Sequence, residues 1–267
     1  VRIRQLKTSA ALSHFEPRFA KKYNLHPYHS KNKPAIFFGC YTGSYRKSKQ
    51  DLEDICSHKG LGVVVWGGTD IDRFRKRRAV IASLKNKKNI YHIAISSFIE
   101  EDLRMLRIPY FSVPVFPSEL RMRPSFPVGK AVYVYSSHAR PKIYGMPKVI
   151  RIQKRMPSQE FIFGYSTPPN TPPDKMDRVY ARTMIGLRLT EHDGLSNTVV
   201  ELGLRGRRCV WNGKTPNAVQ WRDIEHVVKL IKRERKRVGK TFPELSKKMY
   251  DFLNVGESWL LTDHYTR

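Results

Sequence analysis

Cysteine is almost missing from this sequence: Cys40, Cys56 and Cys209 are the only three in 267 residues, and no two form a CxxC pair. That excludes a disulfide framework or a Cys-rich zinc site and points to a reducing, intracellular, cytoplasmic setting. Acidic residues are scarce as well, with 23 Asp and Glu against 50 Lys and Arg, a formal charge of +27. No stretch approaches the roughly 20 uncharged apolar residues that a membrane-spanning helix requires. The first residues, Val1–Gln5, lack the apolar core of a secretory signal. No internal repeat is evident, and no G-x-G-x-x-G follows the first apolar run, which argues against a dehydrogenase or a nucleotide-sugar epimerase. Apolar residues (40%) and aromatics (11%) are present in ordinary amounts, so the chain is not a disordered one.

The positive charge collects in Arg73–Arg78, in Lys85–Lys88 and in Lys229–Lys240. A solvated helix face accounts for any single run. Three runs with few compensating acids point to an anionic partner: nucleic acid, an anionic membrane surface met peripherally, or a phosphorylated substrate.

Apolar runs alternate with helical patterns. Ala35–Gly39, Leu61–Trp66, Ile90–Ser96 and Pro109–Val113 read as buried strands, with helices at 10–22, 49–58, 72–85 and from an N-cap at Ser97 to Leu106. Pro114, Pro117, Pro124 and Pro127 then crowd into a stretch of little apolar periodicity, which reads as a linker. Beyond it come strands at Ala131–Tyr135, Glu160–Gly164, Met184–Leu189 and Arg208–Trp211. Helices are expected at Pro147–Arg155, Lys175–Arg182, Ser196–Arg205, Ile224–Arg237 and Phe242–Leu253, and 167–173 forms a rigid Pro-rich loop. The alternation predicts an α/β protein of two Rossmann-like domains facing a cleft, with ligands beyond the carboxyl ends of the strands. The expected boundaries are 1–115, a linker at 116–129, 130–240, and a C-terminal helix and tail at 241–267 that packs back on the first domain.

The stretch richest in chemistry is Gly186–Val210. A strand ends near Leu189, a polar loop comes next, and a helix opens at Ser196 or Asn197. Helix N-termini present unpaired N–H groups and partial positive charge, so a Gly-containing loop there suits a diphosphate. Asp193 and Glu201 stand eight positions apart, one in the loop and one about a turn into the helix, so both can accept hydrogen bonds from one ligand's sugar hydroxyls. Asp193-Gly-Leu-Ser-Asn-Thr-Val-Val-Glu201 resembles the signature of the GT-B retaining glycosyltransferases. In that family the first acid meets the donor sugar, the second binds the nucleotide ribose and the loop amides meet the donor phosphates. The resemblance therefore implies these roles for Asp193, for Glu201, and for Gly194, Leu195 and Ser196, with Asn197 beside them. The first acid is Asp where the family more often has Glu, and Leu202 follows Glu201 where Ala is usual.

The same resemblance implies a basic pair after the first strand of the second domain, where Arg140 and Lys142 are the candidates to stabilise the departing diphosphate. Arg188, just ahead of the signature, is a further candidate to reach phosphate, His192 and His138 are candidate donor contacts, and Tyr165 is a candidate for stacking on the base. In the first half, Trp66-Gly67-Gly68-Thr69-Asp70 ends a strand. It reads either as a turn lining the acceptor site, with Asp70 or Thr69 in contact, or as a helix start capped by one of them. The loop Gly39–Gly43 has a similar place. His92 reads as a satisfied core histidine, and an inverting mechanism would need a base from Asp70, Asp72 or His92. No metal and no bound cofactor is required by this reading.

The resemblance and the residue pattern together predict glycosyl transfer, with retention, from a nucleoside-diphosphate sugar (UDP- or GDP-linked) as co-substrate. The acceptor is a hydroxyl, on either a hydroxymethylated DNA base or a glycan. The shortness of the first half for this build suggests a stripped-down enzyme of viral origin. The competing reading is a non-catalytic, basic nucleic-acid-binding α/β protein, which leaves the Asp193/Glu201 spacing unexplained.

Overall fold

The computed structural model describes residues 1–40, 46–68, 70–71, 78–120, 126–138, 140–165 and 175–265, the side chains of 46–50, 78–80 and 165 excepted. The chain forms two compact units, one from 1–120, 192–195 and 253–267, the other from 121–191 and 196–252.

The first unit is built on a six-stranded sheet in which every pairing is parallel: β1 (Gln5–Thr8), β2 (His26–Pro27), β3 (Ala35–Phe38), β4 (Gly62–Trp66), β5 (Ile90–Ala94) and β6 (Phe111–Ser112), in the order β2-β1-β3-β4-β5-β6. Every residue of β3 and β4 is buried, which is why they read as unbroken apolar runs. Helices α1 (Glu16–Tyr23), α2 (Arg46–Ser57), α3 (Arg78–Lys85) and α4 (Ser97–Met105) make the crossovers. The cap of α4 is Ser96, one residue ahead of the expected Ser97.

β1 escapes the sequence pattern, since Gln-Leu-Lys-Thr has one strongly apolar residue. Gln5 is buried with its side-chain amide satisfied by the backbone of residues 29–33. Nε2 donates to the carbonyls of Ser30 and Lys33, and Oε1 accepts from the amides of His29 and Ser30. The C-terminal tail belongs to this unit. Trp259, fully buried, meets Tyr23 edge-on at 5.1 Å, the Ile3 amide donates to Leu260 O at 2.8 Å, and Tyr265 packs on Tyr91 and Phe111.

The second unit has a five-stranded parallel sheet of β7 (Ala131–Ser136), β8 (Phe161–Tyr165), β9 (Thr183–Leu187), β10 (Arg208–Val210) and β11 (Ala218–Val219), ordered β11-β10-β9-β7-β8. Helices α5 (Met146–Arg155), α6 (Met176–Arg182), α7 (Asn197–Gly203), α8 (Ile224–Glu234) and α9 (Pro243–Leu253) accompany it. The basic helix expected to run to Arg237 gives way after Glu234 to a 3-10 turn, Arg235–Arg237. Glu234 is buried there and binds Arg237 at 2.5 Å, so part of that basic run is neutralised from within.

Pro127–Gly129 is fixed in this unit. Arg207, 1% exposed, donates to the carbonyls of Pro127, Thr183 and Arg205, and Val128 pairs with Val238. Both sheets have the doubly wound order 2-1-3-4-5, to which the first adds a sixth strand at the far edge. Chain direction across the sheet therefore reverses between β1 and β3 in the first unit and between β7 and β9 in the second. Ligands of such sheets bind beyond the strand ends at those switch points.

Candidate functional site

At the switch point of the second unit, β7 ends at Ser136 and β9 runs into Arg188. The Arg188 amide extends the ladder by donating to Val210 O at 2.9 Å. Its guanidinium is held between two tyrosine rings, 5.5 Å from the Tyr135 centroid and 4.6 Å from that of Tyr144. Only 8% of Arg188 is exposed, so its charge has a fixed position. Gly145 has φ +74, and a Cβ there would stand 2.6 Å from Leu189 O, so glycine lets the turn before α5 close against the β9 loop.

Glu201 lies on α7, where the Tyr180 hydroxyl donates to its Oε2 at 2.5 Å. The Tyr180 ring meets Tyr133 edge-on at 5.4 Å and carries the Arg205 guanidinium 4.6 Å from its centroid. Arg205 in turn pairs with Asp177. Gly164 leaves the room this needs, since a Cβ would fall 2.2 Å from the Tyr133 hydroxyl. Burial, with the Glu201 carboxylate beside it, pushes the Tyr180 phenol well above its usual range, so the hydroxyl stays a donor. Among the described residues, Glu201 Oε1 accepts no hydrogen bond. One carboxylate oxygen is anchored and the other is not.

The intervening segment, His192–Leu195, groups with the first unit. His192 Nε2 lies 2.6 Å from the carboxylate of Asp102 on α4, which is 2% exposed, and Ser96 Oγ donates to Asp193 O at 3.2 Å. Asp193 is half-buried, and its Oδ1 accepts the Gly194 amide at 3.0 Å. A Cβ on Gly194 would lie 2.2 Å from Gly67 O, and one on Gly68 2.8 Å from Gly194 N. The two glycine turns therefore touch backbone to backbone, a contact no other residue type permits. Leu195 and Ser196 are buried. Ser196 is the N-cap by position, but its side chain makes no capping bond, and Asn197 is exposed. Arg140, Lys142 and His138 all lie exposed on the β7–α5 loop. Tyr165 ends β8, its side chain outside the described residues, as are Thr69, Asp72, Gly43 and the whole loop 167–173.

The first-half turn differs from expectation. Asp70 is wholly buried, and both carboxylate oxygens are taken by backbone amides, Oδ2 by Cys40 and Gly67, Oδ1 by Gly68 and Ile71, at 2.7 to 3.2 Å. Burial pushes this carboxyl above its usual range while the four amides oppose that. It is a clamp on the turn, with no oxygen left for an acceptor or for base catalysis. Asp70 and Asp72 have the two-residue spacing of carboxylates that share a metal ion, but Asp70 is committed. Among the described residues no three His, Cys, Asp or Glu side chains converge as metal ligands.

Trp66 also departs from expectation. Its side chain is fully buried, and Nε1 donates to His92 Nδ1 at 3.2 Å, with the rings stacked. It lines the core, so among the described residues of the expected acceptor side the backbone of Gly67 and Gly68 remains. His92 accepts that bond neutral, burial lowering its pKa to about 4. Tyr180, Tyr133 and Asp102 were invisible to sequence reasoning: each lies 20 or more positions from the acid or histidine it serves.

No protein-family model matches the chain, and no curated protein matches it in sequence. Solved structures match it in fold. A variant of TarM from S. aureus, in complex with fondaparinux, α-GlcNAc-glycerol and UDP, superposes with a TM-score of 0.56 at 10% identity, over 89% of this chain and 54% of that one. Sucrose-phosphate synthase from Thermosynechococcus elongatus gives 0.54 at 11% identity, over 93% and 73%. The chain has the GT-B fold. It spans about half the length of TarM. No helix among the described residues is long and apolar enough to cross a membrane.

Proposed function

We propose that this chain is a glycosyltransferase that moves a sugar from a nucleoside-diphosphate donor, UDP- or GDP-linked, to a hydroxyl acceptor with retention at the anomeric carbon. The observation that carries the reading is the Glu201 carboxylate, pinned through Oε2 by Tyr180 and open at Oε1, on the helix that follows the strand at the sheet's switch point. An anchored acid with one oxygen to spare suits a ribose diol, which needs an acceptor of fixed position.

In this reading Arg188, clamped between Tyr135 and Tyr144, supplies permanent positive charge to the diphosphate. Arg140 and Lys142, long side chains on an exposed loop, close on the same phosphates when the donor arrives. Asp193 accepts hydrogen bonds from the transferred sugar, with the amides of Gly194, Leu195 and Ser196 and the side chains of Asn197 and His192 around it. The anomeric carbon's bond to the phosphate oxygen breaks as its bond to the acceptor oxygen forms. The acceptor proton passes to the departing phosphate, whose charge the basic residues stabilise as it develops. Asp70 acts only by holding the Gly67-Gly68 turn.

The test is thermal unfolding with UDP, GDP and other nucleoside diphosphates. A ligand at 100 times its Kd stabilises by about 2.7 kcal/mol. A rise in Tm with one nucleotide, lost in Glu201→Ala, supports the reading; a flat panel, or an equal rise in the variant, refutes it. A mixed pool of nucleotide sugars, offered with a glycan or with hydroxymethylated DNA, then identifies the acceptor by product mass.

A further inference from the structure

The second unit carries a groove of about 340 Å³ between α5 and the turn that opens α8. Lys148, Arg151 and Arg155 face it from α5, and Trp221 and Arg222 from the turn. Its frame is rigid. Val149 and Ile152 of α5 share a buried core with Val227, Val228 and Ile231 of α8, and the Trp221 amide donates to Asn212 Oδ1 at 2.8 Å.

Two acids, Asp223 and Glu225, line the groove as well, and they and Glu191 beside it all have partners. Asp223 caps α8 by accepting the His226 amide, Glu225 pairs with Arg155, and Glu191 takes the Lys148 ammonium at 3.0 Å. Among the described residues, the guanidiniums of Arg151 and Arg222 make no ion pair and no hydrogen bond, and both are exposed. Two uncommitted guanidiniums on one groove are a bidentate receptor for tetrahedral oxyanions.

The indole narrows the choice of ligand. Lys148 Nζ already sits 5.1 Å from the Trp221 ring centroid, and the ring is partly buried against the core. The ammonium takes one face of the indole and the core takes part of the ring, which makes it a poor platform for the base stacking that single-stranded nucleic acid requires. An apolar ring edge beside two guanidiniums matches a sugar that carries a charged group. We propose that this groove holds the phosphate or sulfate groups of an anionic glycan, anchoring the acceptor chain at a distance from its reacting end. The word acceptor here rests on the transferase reading; the binding does not.

The experiment is titration calorimetry with a phosphorylated oligosaccharide, its unphosphorylated counterpart, a sulfated oligosaccharide and a duplex DNA. Charge-assisted hydrogen bonds make each arginine worth roughly tenfold in Kd. Arg151→Ala and Arg222→Ala should each weaken the charged glycan by about that factor, and the double variant by more, while Lys154→Ala, on the same helix outside the groove, leaves it unchanged. The phosphorylated and sulfated chains separate the two anion sources, and the binding of either supports the site. Equal binding of the neutral chain, or an unchanged Kd in the double variant, overturns it. So does a duplex that loses affinity in the double variant when no charged glycan binds. Glu201→Ala should keep full glycan affinity while losing the nucleotide. If it keeps both, the donor assignment fails and this site stands.

Discussion

Replacing Tyr180 with Phe deletes one oxygen and leaves the ring in place, edge-on to Tyr133 at 5.4 Å and beneath the Arg205 guanidinium at 4.6 Å. What disappears is the bond to Glu201 Oε2, a hydrogen bond to a charged group. Such bonds contribute about 1.5–3 kcal/mol, and the carboxylate left behind is partly buried, so the upper part of that range applies. The loss has two readouts. Urea unfolding of the free protein should show a lower midpoint with an unchanged slope, since the surface exposed on unfolding is the same. Nucleoside diphosphate affinity, by calorimetry, should fall by about tenfold, because an unanchored carboxylate must be ordered by the ligand itself. Pairing Tyr180→Phe with Glu201→Gln in a cycle isolates the coupling, expected at roughly 1–3 kcal/mol for residues in direct contact. A Tyr180→Phe protein with full stability and wild-type nucleotide affinity would refute the anchoring argument.

Two further outcomes rest on buried groups. Asp70→Ala strips four buried amides of their acceptor and should cost at least about 3 kcal/mol in urea unfolding. An effect below about 1 kcal/mol would mean the turn holds without the clamp. His92 is held near pKa 4 by burial, against 6.5 in its unperturbed state, so the unfolded chain binds more protons between those values. Stability is then lost as pH falls from 6.5 towards 4, by roughly 3 kcal/mol from this group. His92→Gln should flatten that part of the stability–pH curve, and an unchanged curve would show that the histidine is not buried neutral.

Much of the architecture was legible because parallel strands covered on both faces must be apolar throughout: Val63-Val64-Val65 and Val132-Tyr133-Val134 leave no other reading. β1 and β11 were not. The first is polar, with Gln5 supplying bonds in place of apolar surface, and the second is only two residues long. Within the site, the Asp193/Glu201 spacing pointed to a donor loop, but the groups that fix it come from elsewhere in the chain. Asp102 stands 90 positions before His192, and Tyr180 lies in a short helix without a distinguishing pattern. The Trp66 reading failed for a physical reason. A residue at the carboxyl end of a strand alternates between facing a ligand and facing the core, and only the His92 ring decides which.

The first sheet is closed by residues that leave the ribosome after the second unit has been made. Trp259, Leu260 and Tyr265 pack on α1, on Ile3 ahead of β1 and on the β5–β6 edge, yet 121–191 and 196–252 are all translated before them. Nascent domains ordinarily mature in the order of synthesis. Here the aromatic packing beside Phe19 and Tyr23 stays incomplete until the last residues of the second unit and the tail beyond them have been made.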